Sequence, residues 1–163
     1  MYIERALEPL VRRYSENFKI VAVTGPRQVG KTTMLKHLME EEAESGVDRV
    51  YVTLDNTAIL QTAKEDPALF LQRYRPPVLI DEIQKAPELL PYIKMIVDER
   101  DDCGSVWITG SQPLHLMKAV SESLAGRVGI VEMLGLSHSE VAGTPSEPYL
   151  PSADYFMRRV DMA

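Results

Sequence analysis

The apolar positions of this 163-residue chain form short runs and helical stripes that alternate along the sequence. Runs of β-branched and other apolar residues predict five strands, separated by segments with helical spacing. The predicted strands cover residues 18–23, 49–54, 78–80, 106–109 and 128–134. The predicted helices cover residues 3–14, 31–43, 56–75 in two pieces, 87–100 and 114–124. This alternation favours an α/β fold, in which helices cover both faces of a parallel sheet.

Local signals mark two interruptions in this pattern. Asp66 and Pro67 divide the helical segment 56–75, because Asp is a good N-cap and Pro fits the first turn of a helix. After Ser137 the alternation weakens, and prolines recur over residues 145–151. We therefore expect a folded core over residues 1–136 and a linker from residue 137, with a short helix within residues 154–162.

Composition and charge limit the classes of protein to which this chain can belong. The formal net charge is −6 and the pI is about 5.1, which does not indicate a general nucleic-acid-binding surface. The one cysteine, Cys103, excludes an internal disulfide framework and fits a reducing compartment. The charged N-terminus does not resemble a signal peptide, and every apolar run is too short to span a bilayer. We expect a cytoplasmic protein without a membrane partner.

The strongest motif is residues 25–32, which read Gly-Pro-Arg-Gln-Val-Gly-Lys-Thr and match G-x-x-x-x-G-K-[ST]. The glycines permit positive φ and close backbone approach, so that successive N–H groups can point at phosphate oxygens. Lys31 brings positive charge to the β and γ phosphates, and the Thr32 hydroxyl is placed to ligate Mg²⁺. The motif joins a predicted strand to a helix N-terminus, which favours an anion. The predicted nucleotide-binding residues are Gly25, Pro26, Arg27, Gln28, Val29, Gly30, Lys31, Thr32 and Thr33.

A second motif is the apolar third strand that ends in Asp81 and Glu82. An Asp at a strand tip can hold the magnesium shell opposite Thr32. Glu82 is placed to polarise a water for in-line attack on the γ-phosphate. Alone, the pair would be an ordinary strand-end turn, but its combination with the phosphate loop favours the catalytic interpretation.

Two further segments are candidates for catalytic roles. Strand four ends in Thr109-Gly110-Ser111-Gln112, and Ser111 or Gln112 could hydrogen-bond the attacking water or the γ-phosphate. The alternative is ordinary turn chemistry.

Arg127, just before strand five, has the planar charged guanidinium that suits phosphate charge in a transition state. From residue chemistry alone, a surface arginine with local salt bridges is the favoured reading.

These motifs together resemble those of the prokaryotic AAA-type P-loop ATPases, whose Walker A and Walker B motifs correspond to residues 25–32 and 78–82. Within them, the chain is similar over residues 1–140 to ATP-binding proteins with a C-terminal nuclease-like domain of unknown role. The resemblance implies a P-loop NTPase three-layer sandwich, with a five-stranded parallel sheet of order 5-1-4-3-2. It also implies Lys31, Glu82, Ser111, Gln112 and Arg127 as catalytic residues, with Arg127 reaching a neighbouring subunit.

The resemblance also implies a magnesium-dependent ATPase that couples nucleotide state to conformational change in an attached domain or protein partner. Its cofactors would be ATP and Mg²⁺, with Thr32 and Asp81 at the metal, and its partner could be a second copy of the chain. Residues 1–136 would be the ATPase core, and residues 137–163 would begin a truncated C-terminal region, with little room for the usual helical lid. A non-hydrolysing nucleotide switch is the main alternative. A small-molecule phosphotransferase or a GTPase is disfavoured, because an arginine-rich lid and an Asn-Lys-x-Asp motif are missing from this sequence.

Overall fold

A computed structural model of the chain describes residues 2–111, 120 and 122–144. Its five strands form one sheet in which every pairing is parallel, in the order β2-β3-β4-β1-β5. The strands are β1 (Ile20–Thr24), β2 (Val50–Thr53), β3 (Val78–Asp81), β4 (Val106–Gly110) and β5 (Val128–Glu132). This is the predicted order 5-1-4-3-2 read from the other edge, so the α/β fold class and the sheet topology are confirmed.

Helices connect these strands largely where the sequence places them. They are α1 (Glu8–Asn17), α2 (Lys31–Glu44), α3 (Thr57–Glu65), α4 (Pro67–Arg73) and α5 (Leu89–Asp98), with short helices Ile83–Lys85 and His138–Val141. The Asp66 side chain accepts a hydrogen bond from Leu69 N at 2.9 Å, which confirms the predicted break between α3 and α4. Of the predicted helix 114–124, residues 114–119 and 121 lie outside the described residues, as does all of 154–162.

The opening helix begins at Glu8, so the prediction that it starts at Ile3 was wrong. Pro9 explains the difference, because a helix that began at residue 3 would place Pro9 in its interior. There Pro9 would remove a hydrogen bond and its ring would clash with the preceding turn. Residues 2–5 instead have no regular secondary structure, and they pass beside the phosphate loop, as described below.

Two hydrophobic cores lie on opposite faces of the sheet. Alternate residues of β1 divide between them: Ile20 and Ala22 face the core beneath α3, α4 and α5, whereas Val21 and Val23 face the core beneath α1 and α2. All five residues of β1 are buried, which explains why the strand reads as a continuous apolar run. The result is the expected three-layer arrangement, with a rigid sheet between two helical layers.

The ends of four strands meet at the carboxyl edge of this sheet. Thr24, the last residue of β1, pairs with Gly110 of β4, and Asp81 of β3 pairs with Thr53 of β2. In open α/β sheets, ligands bind in the crevice outside this edge. The fold therefore brings the phosphate-loop motif and the Asp81-Glu82 motif to one place.

Candidate nucleotide and magnesium site

The loop between β1 and α2 has backbone conformations that explain its glycines. Gly25 has φ +140° and Gly30 has φ +93°. A Cβ on Gly25 would lie 2.0 Å from the carbonyl oxygen of Met133, so a side chain cannot be accommodated there. Gln28 has φ +62° although it is not a glycine, and such strained backbone is typical of functional loops.

The N-terminus of α2 opens directly onto this loop. Its N-cap residue is Gly30, and no side chain caps the first turn. The amides of that first turn therefore keep hydrogen-bonding capacity, and the helix dipole adds partial positive charge. Among the predicted nucleotide-binding residues, Pro26, Arg27, Gln28 and Thr33 are exposed, whereas Val29, Gly30 and Thr32 are partly buried. This arrangement fits an anion such as a phosphate group.

Lys31 places its ammonium group inside the loop. Its Nζ donates hydrogen bonds to the carbonyl oxygens of Gly25 at 3.0 Å and Pro26 at 2.6 Å, and the residue is 5% exposed. Burial lowers the pKa of Lys31, and the charges of Glu82 and Asp81 act in the opposite direction. The loop therefore holds a buried cation close to two carboxylates.

Asp81 joins the sheet edge to the loop. Its carboxylate accepts hydrogen bonds from Thr32 Oγ1 at 2.7 Å, from Tyr51 Oη at 3.2 Å and from Thr109 Oγ1. Burial and the charge of Asp81 raise the pKa of Tyr51 to about 12, so Tyr51 is a phenol donor at neutral pH. The structure thus places Thr32 and Asp81, the two predicted metal ligands, in direct contact.

The donor set at this contact suits Mg²⁺. A threonine hydroxyl and a carboxylate are hard oxygen ligands, and Mg²⁺ in nucleotide sites takes one or two carboxylates together with waters and substrate phosphates. Groups of three His, Cys, Asp or Glu side chains able to hold a metal are absent from the described residues. A site that relies on phosphate oxygens to complete its coordination fits this arrangement.

Glu82 is held beside Asp81 in an unusual backbone conformation. Its φ is +60°, and its amide donates to Thr109 Oγ1 at 3.2 Å. Ser111 Oγ donates to Glu82 Oε1 at 2.8 Å, and Gln84 Nε2 donates to Glu82 Oε2. The predicted base and one predicted sensor are therefore in contact, whereas Gln112 lies outside the described residues.

Arg127 lies away from this cluster within the same chain. It immediately precedes β5, and its carbonyl accepts the amide of Ile20 at the opposite edge of the sheet from the loop. Five residues of parallel strand place the two ends about 16 Å apart. Its guanidinium forms a bidentate salt bridge with Asp98 of α5, and this interaction lowers the pKa of the Asp98 carboxyl group. The structure therefore does not bring Arg127 together with the other predicted catalytic residues that it describes.

Sequence reasoning missed three side chains that the fold brings to the site. Tyr51 and Gln84 contact the two carboxylates of the Asp81-Glu82 motif. Arg5 donates to the carbonyl of Val29 in the loop at 2.7 Å. Tyr51 is the second residue of β2, two residues before the carboxyl end of that strand, and its side chain reaches Asp81 from there. Nothing local distinguishes Arg5 from a surface arginine.

The fold and this cluster define a P-loop NTPase of the AAA type, which is a nucleotide-binding class of protein. Comparison with known families agrees, since the profile of the AAA domain family matches residues 17–142. That match covers most of the chain, and the chain belongs to the AAA domain family.

Two curated relatives are 33% identical to this chain over 137 residues: the uncharacterized protein Mb2031c of Mycobacterium bovis and the uncharacterized protein Rv2008c of Mycobacterium tuberculosis. The match covers 84% of this chain and 30% of each relative. The chain therefore spans less than a third of the length of the curated relatives that it matches.

Solved structures with much lower sequence identity share the fold. AMPPCP-bound DnaA from Aquifex aeolicus has a TM-score of 0.58 at 16% identity, covering 82% of this chain and 48% of DnaA. The P-loop NTPase domain of the sigma-54 transport activator from E. coli has a TM-score of 0.54 at 13% identity, covering 83% of this chain and all of that domain. Within the described part of the chain, no helix combines the length and apolar character needed to cross a bilayer.

Proposed function

We propose that this AAA domain binds ATP with Mg²⁺ and hydrolyses it to ADP and phosphate. The observation that supports this most strongly is the pair of contacts at the tip of β3. Asp81 contacts Thr32 of the phosphate-loop motif at 2.7 Å, and the adjacent Glu82 contacts Ser111, which directly follows β4, at 2.8 Å. A metal-ligand pair and a candidate base beside a phosphate loop are the parts that nucleotide hydrolysis requires.

Nucleotide binding would use the loop backbone and Lys31. The first-turn amides of α2 donate to phosphate oxygens, and Lys31 exchanges the carbonyls of Gly25 and Pro26 for the β and γ phosphates. Low exposure of Lys31 strengthens this attraction, because the surrounding protein screens charge less than water does. Thr32 and Asp81 would hold Mg²⁺, which neutralises charge on the phosphates when bound.

Glu82 would act as the base for the attacking water. The water oxygen attacks the γ-phosphorus in line with the bond to the bridging oxygen, that bond breaks, and the water proton passes to Glu82. Ser111 holds one Glu82 oxygen at 2.8 Å and is placed to orient either the base or the water. Gln84 donates to the other Glu82 oxygen through Nε2, and its own Oε1 atom is buried without a hydrogen-bond partner among the described residues.

We further propose that nucleotide state is transmitted to the rest of a longer protein or to a protein partner. The relatives are about three times as long as the matched region, and residues 137–144 lead away from β5 beside the loop. A C-terminal nuclease-like domain is the attached domain that the family resemblance suggests. We also propose that the ATPase core ends at residue 136 and that the attached region begins at residue 137.

Lys31→Ala tests whether the loop binds nucleotide. The variant should lose detectable MgATP binding by titration calorimetry, whereas the control variant Lys64→Ala, on the exposed face of α3, should bind like the wild type. Chelation of Mg²⁺ by EDTA should abolish phosphate release by the wild type. Unchanged MgATP affinity in Lys31→Ala would overturn the binding assignment.

A further inference from the structure

Arg5 is a buried side chain outside the predicted motifs that donates four hydrogen bonds among the described residues. Its guanidinium is 6% exposed and contacts three separate segments of the chain. Nη1 donates to the carbonyl of Val29 at 2.7 Å, Nη2 donates to the carbonyl of Leu134 at 2.8 Å, and Nε donates to Glu140 Oε1 at 3.0 Å. It thus joins the phosphate loop, the exit from β5 and the short helix His138–Val141.

The backbone behind Arg5 is itself fixed. The carboxylate of Glu8, which is 1% exposed, accepts the Arg5 amide at 2.8 Å and the Tyr2 hydroxyl at 2.6 Å. The Arg5 carbonyl accepts the Glu8 amide at 3.1 Å. Two of these bonds hold the main chain of Arg5, and the third fixes the Glu8 carboxylate, so the guanidinium is directed at the loop from a fixed backbone.

The contact with Val29 bears on phosphate binding through the planarity of the peptide bond. In a trans peptide, the carbonyl of Val29 and the amide N–H of Gly30 point in opposite directions. Arg5 holds that carbonyl from outside the loop, and a Cβ on Gly30 would lie 3.5 Å from Arg5 Nη1. The N–H of Gly30 thereby points towards the concave side of the phosphate loop. This part of the loop lies between Gln28, with φ +62°, and helix α2.

Glu140 completes the connection on the other side of Arg5. Its side chain is 7% exposed, and it accepts the Ala6 amide at 2.9 Å as well as Arg5 Nε. Its other oxygen accepts the Ser137 amide at 2.6 Å, and Ser137 Oγ accepts the Glu140 amide at 3.2 Å in a capping box. The short helix cannot move without disturbing the partners of Arg5.

We propose that Arg5 is a positioning residue for the phosphate loop, and that Glu140 links it to the segment that follows β5. This inference rests on the proposed nucleotide binding. Docking of helix His138–Val141 sets the Val29–Gly30 peptide for phosphate, so displacement of that helix weakens nucleotide binding. By thermodynamic reciprocity, nucleotide binding tightens the docked helix. The chain beyond the helix therefore has a direct route to the loop.

The test compares two buried arginines with equal exposure. Arg49 is also 6% exposed, and it pairs with Glu42 while lying over the ring of Trp107, far from the loop. Arg5→Met should weaken MgATP binding about tenfold, the effect of one charge-assisted hydrogen bond. Arg49→Met should lower the melting temperature without changing the Kd. Equal Kd values for the two variants, measured where both are folded, would overturn the inference.

A second variant keeps the test decisive if Arg5→Met does not fold. Arg5→Lys retains the charge opposite Glu140 but cannot contact Val29, Leu134 and Glu140 together. We expect Arg5→Lys to raise KM about tenfold and to leave kcat unchanged, because Glu82 and Ser111 are untouched. An unchanged KM would contradict the inference.

Hydrogen exchange tests the link to the helix. MgATP should slow exchange of the amides of residues 137–141 in the wild type, and this protection should be lost in Arg5→Lys at saturating MgATP. Equal protection in both proteins would overturn the coupling.

If the wild type itself does not bind MgATP, the proposed function fails and this inference fails with it. If the wild type binds and Arg5→Lys behaves identically, only the inference fails.

Discussion

The hydroxyl of Ser111 donates a hydrogen bond of 2.8 Å to Glu82 Oε1, across the gap between the ends of β4 and β3. The contact joins the proposed catalytic base with a proposed sensor of the γ-phosphate. Hydrogen bonds from Ser111 and Gln84, one to each oxygen, give the Glu82 carboxylate a defined direction. The proposed base is therefore oriented by its neighbour before nucleotide arrives.

Ser111→Ala should slow ATP turnover about tenfold, because one hydrogen bond that orients the base or the water is lost. MgATP affinity should change by less than about twofold, since the loop and Lys31 are intact. Steady-state phosphate release and titration calorimetry measure the two quantities. Ser45→Ala, at the exposed C-terminal end of α2, is the matched control. A wild-type rate in Ser111→Ala would remove Ser111 from the mechanism.

Arg127→Ala should bind MgATP normally but hydrolyse it slowly, if Arg127 acts on a neighbouring subunit. Arg127 lies at the edge of the sheet opposite the loop of its own chain, so this hypothesis places its target on a second copy. Mixing Arg127→Ala with Lys31→Ala should restore activity, since the first variant supplies an intact loop and the second supplies the arginine. The mixing assay should be run at a protein concentration that supports assembly.

Asp98→Asn is the control for Arg127, because it breaks the same ion pair and keeps the arginine. This variant should retain activity at high protein concentration. A mixture that remains inactive, or a wild-type specific activity that is independent of protein concentration, would contradict a trans role.

Glu140 should make the protein sensitive to acid. Burial alone would raise the pKa of Glu140, but hydrogen bonds from Ser137, Ala6 and Arg5 outweigh it and lower the pKa to about 2. A depressed carboxyl pKa contributes stability above the unfolded value of 4.5, and that stability is lost as the pH falls from there towards 2.

Glu140→Gln should therefore be less stable than the wild type at pH 7, and the difference should shrink between pH 4.5 and 2. Urea unfolding at a series of pH values measures this directly. Glu99→Gln, at an exposed position after α5, should show a much smaller dependence. A stability difference for Glu140→Gln that does not vary with pH would rule out an electrostatic contribution from this carboxylate.

Much of the fold could be predicted because its signals are local. Strand β1 is buried on both faces, so its five residues read as one apolar run. The break at Asp66 is a side-chain cap within three residues of sequence. The phosphate loop is likewise recognisable from eight consecutive residues, because the motif is a local pattern of residue types that suits phosphate binding.

The remaining features depend on contacts between distant parts of the chain. Arg5 and Glu140 are 135 residues apart in sequence, and no local pattern indicates that they meet. The spacing of Ile3 and Leu7 continues the apolar stripe of α1, which is why the helix was predicted to start too early. Gln84 contacts Glu82 only because a short helical turn follows the left-handed residue.

The measurement that tests the central claim most directly is single-turnover hydrolysis of radiolabelled MgATP by the wild type and by Glu82→Gln. It should be run over a series of protein concentrations, with bound nucleotide measured in parallel. We expect the wild type to convert bound ATP to ADP, and Glu82→Gln to hold intact ATP with a rate at least about 100-fold lower. Equal rates in the two proteins would contradict the assignment of Glu82. Intact ATP persisting on the wild type at every concentration would instead make this domain a nucleotide-dependent switch.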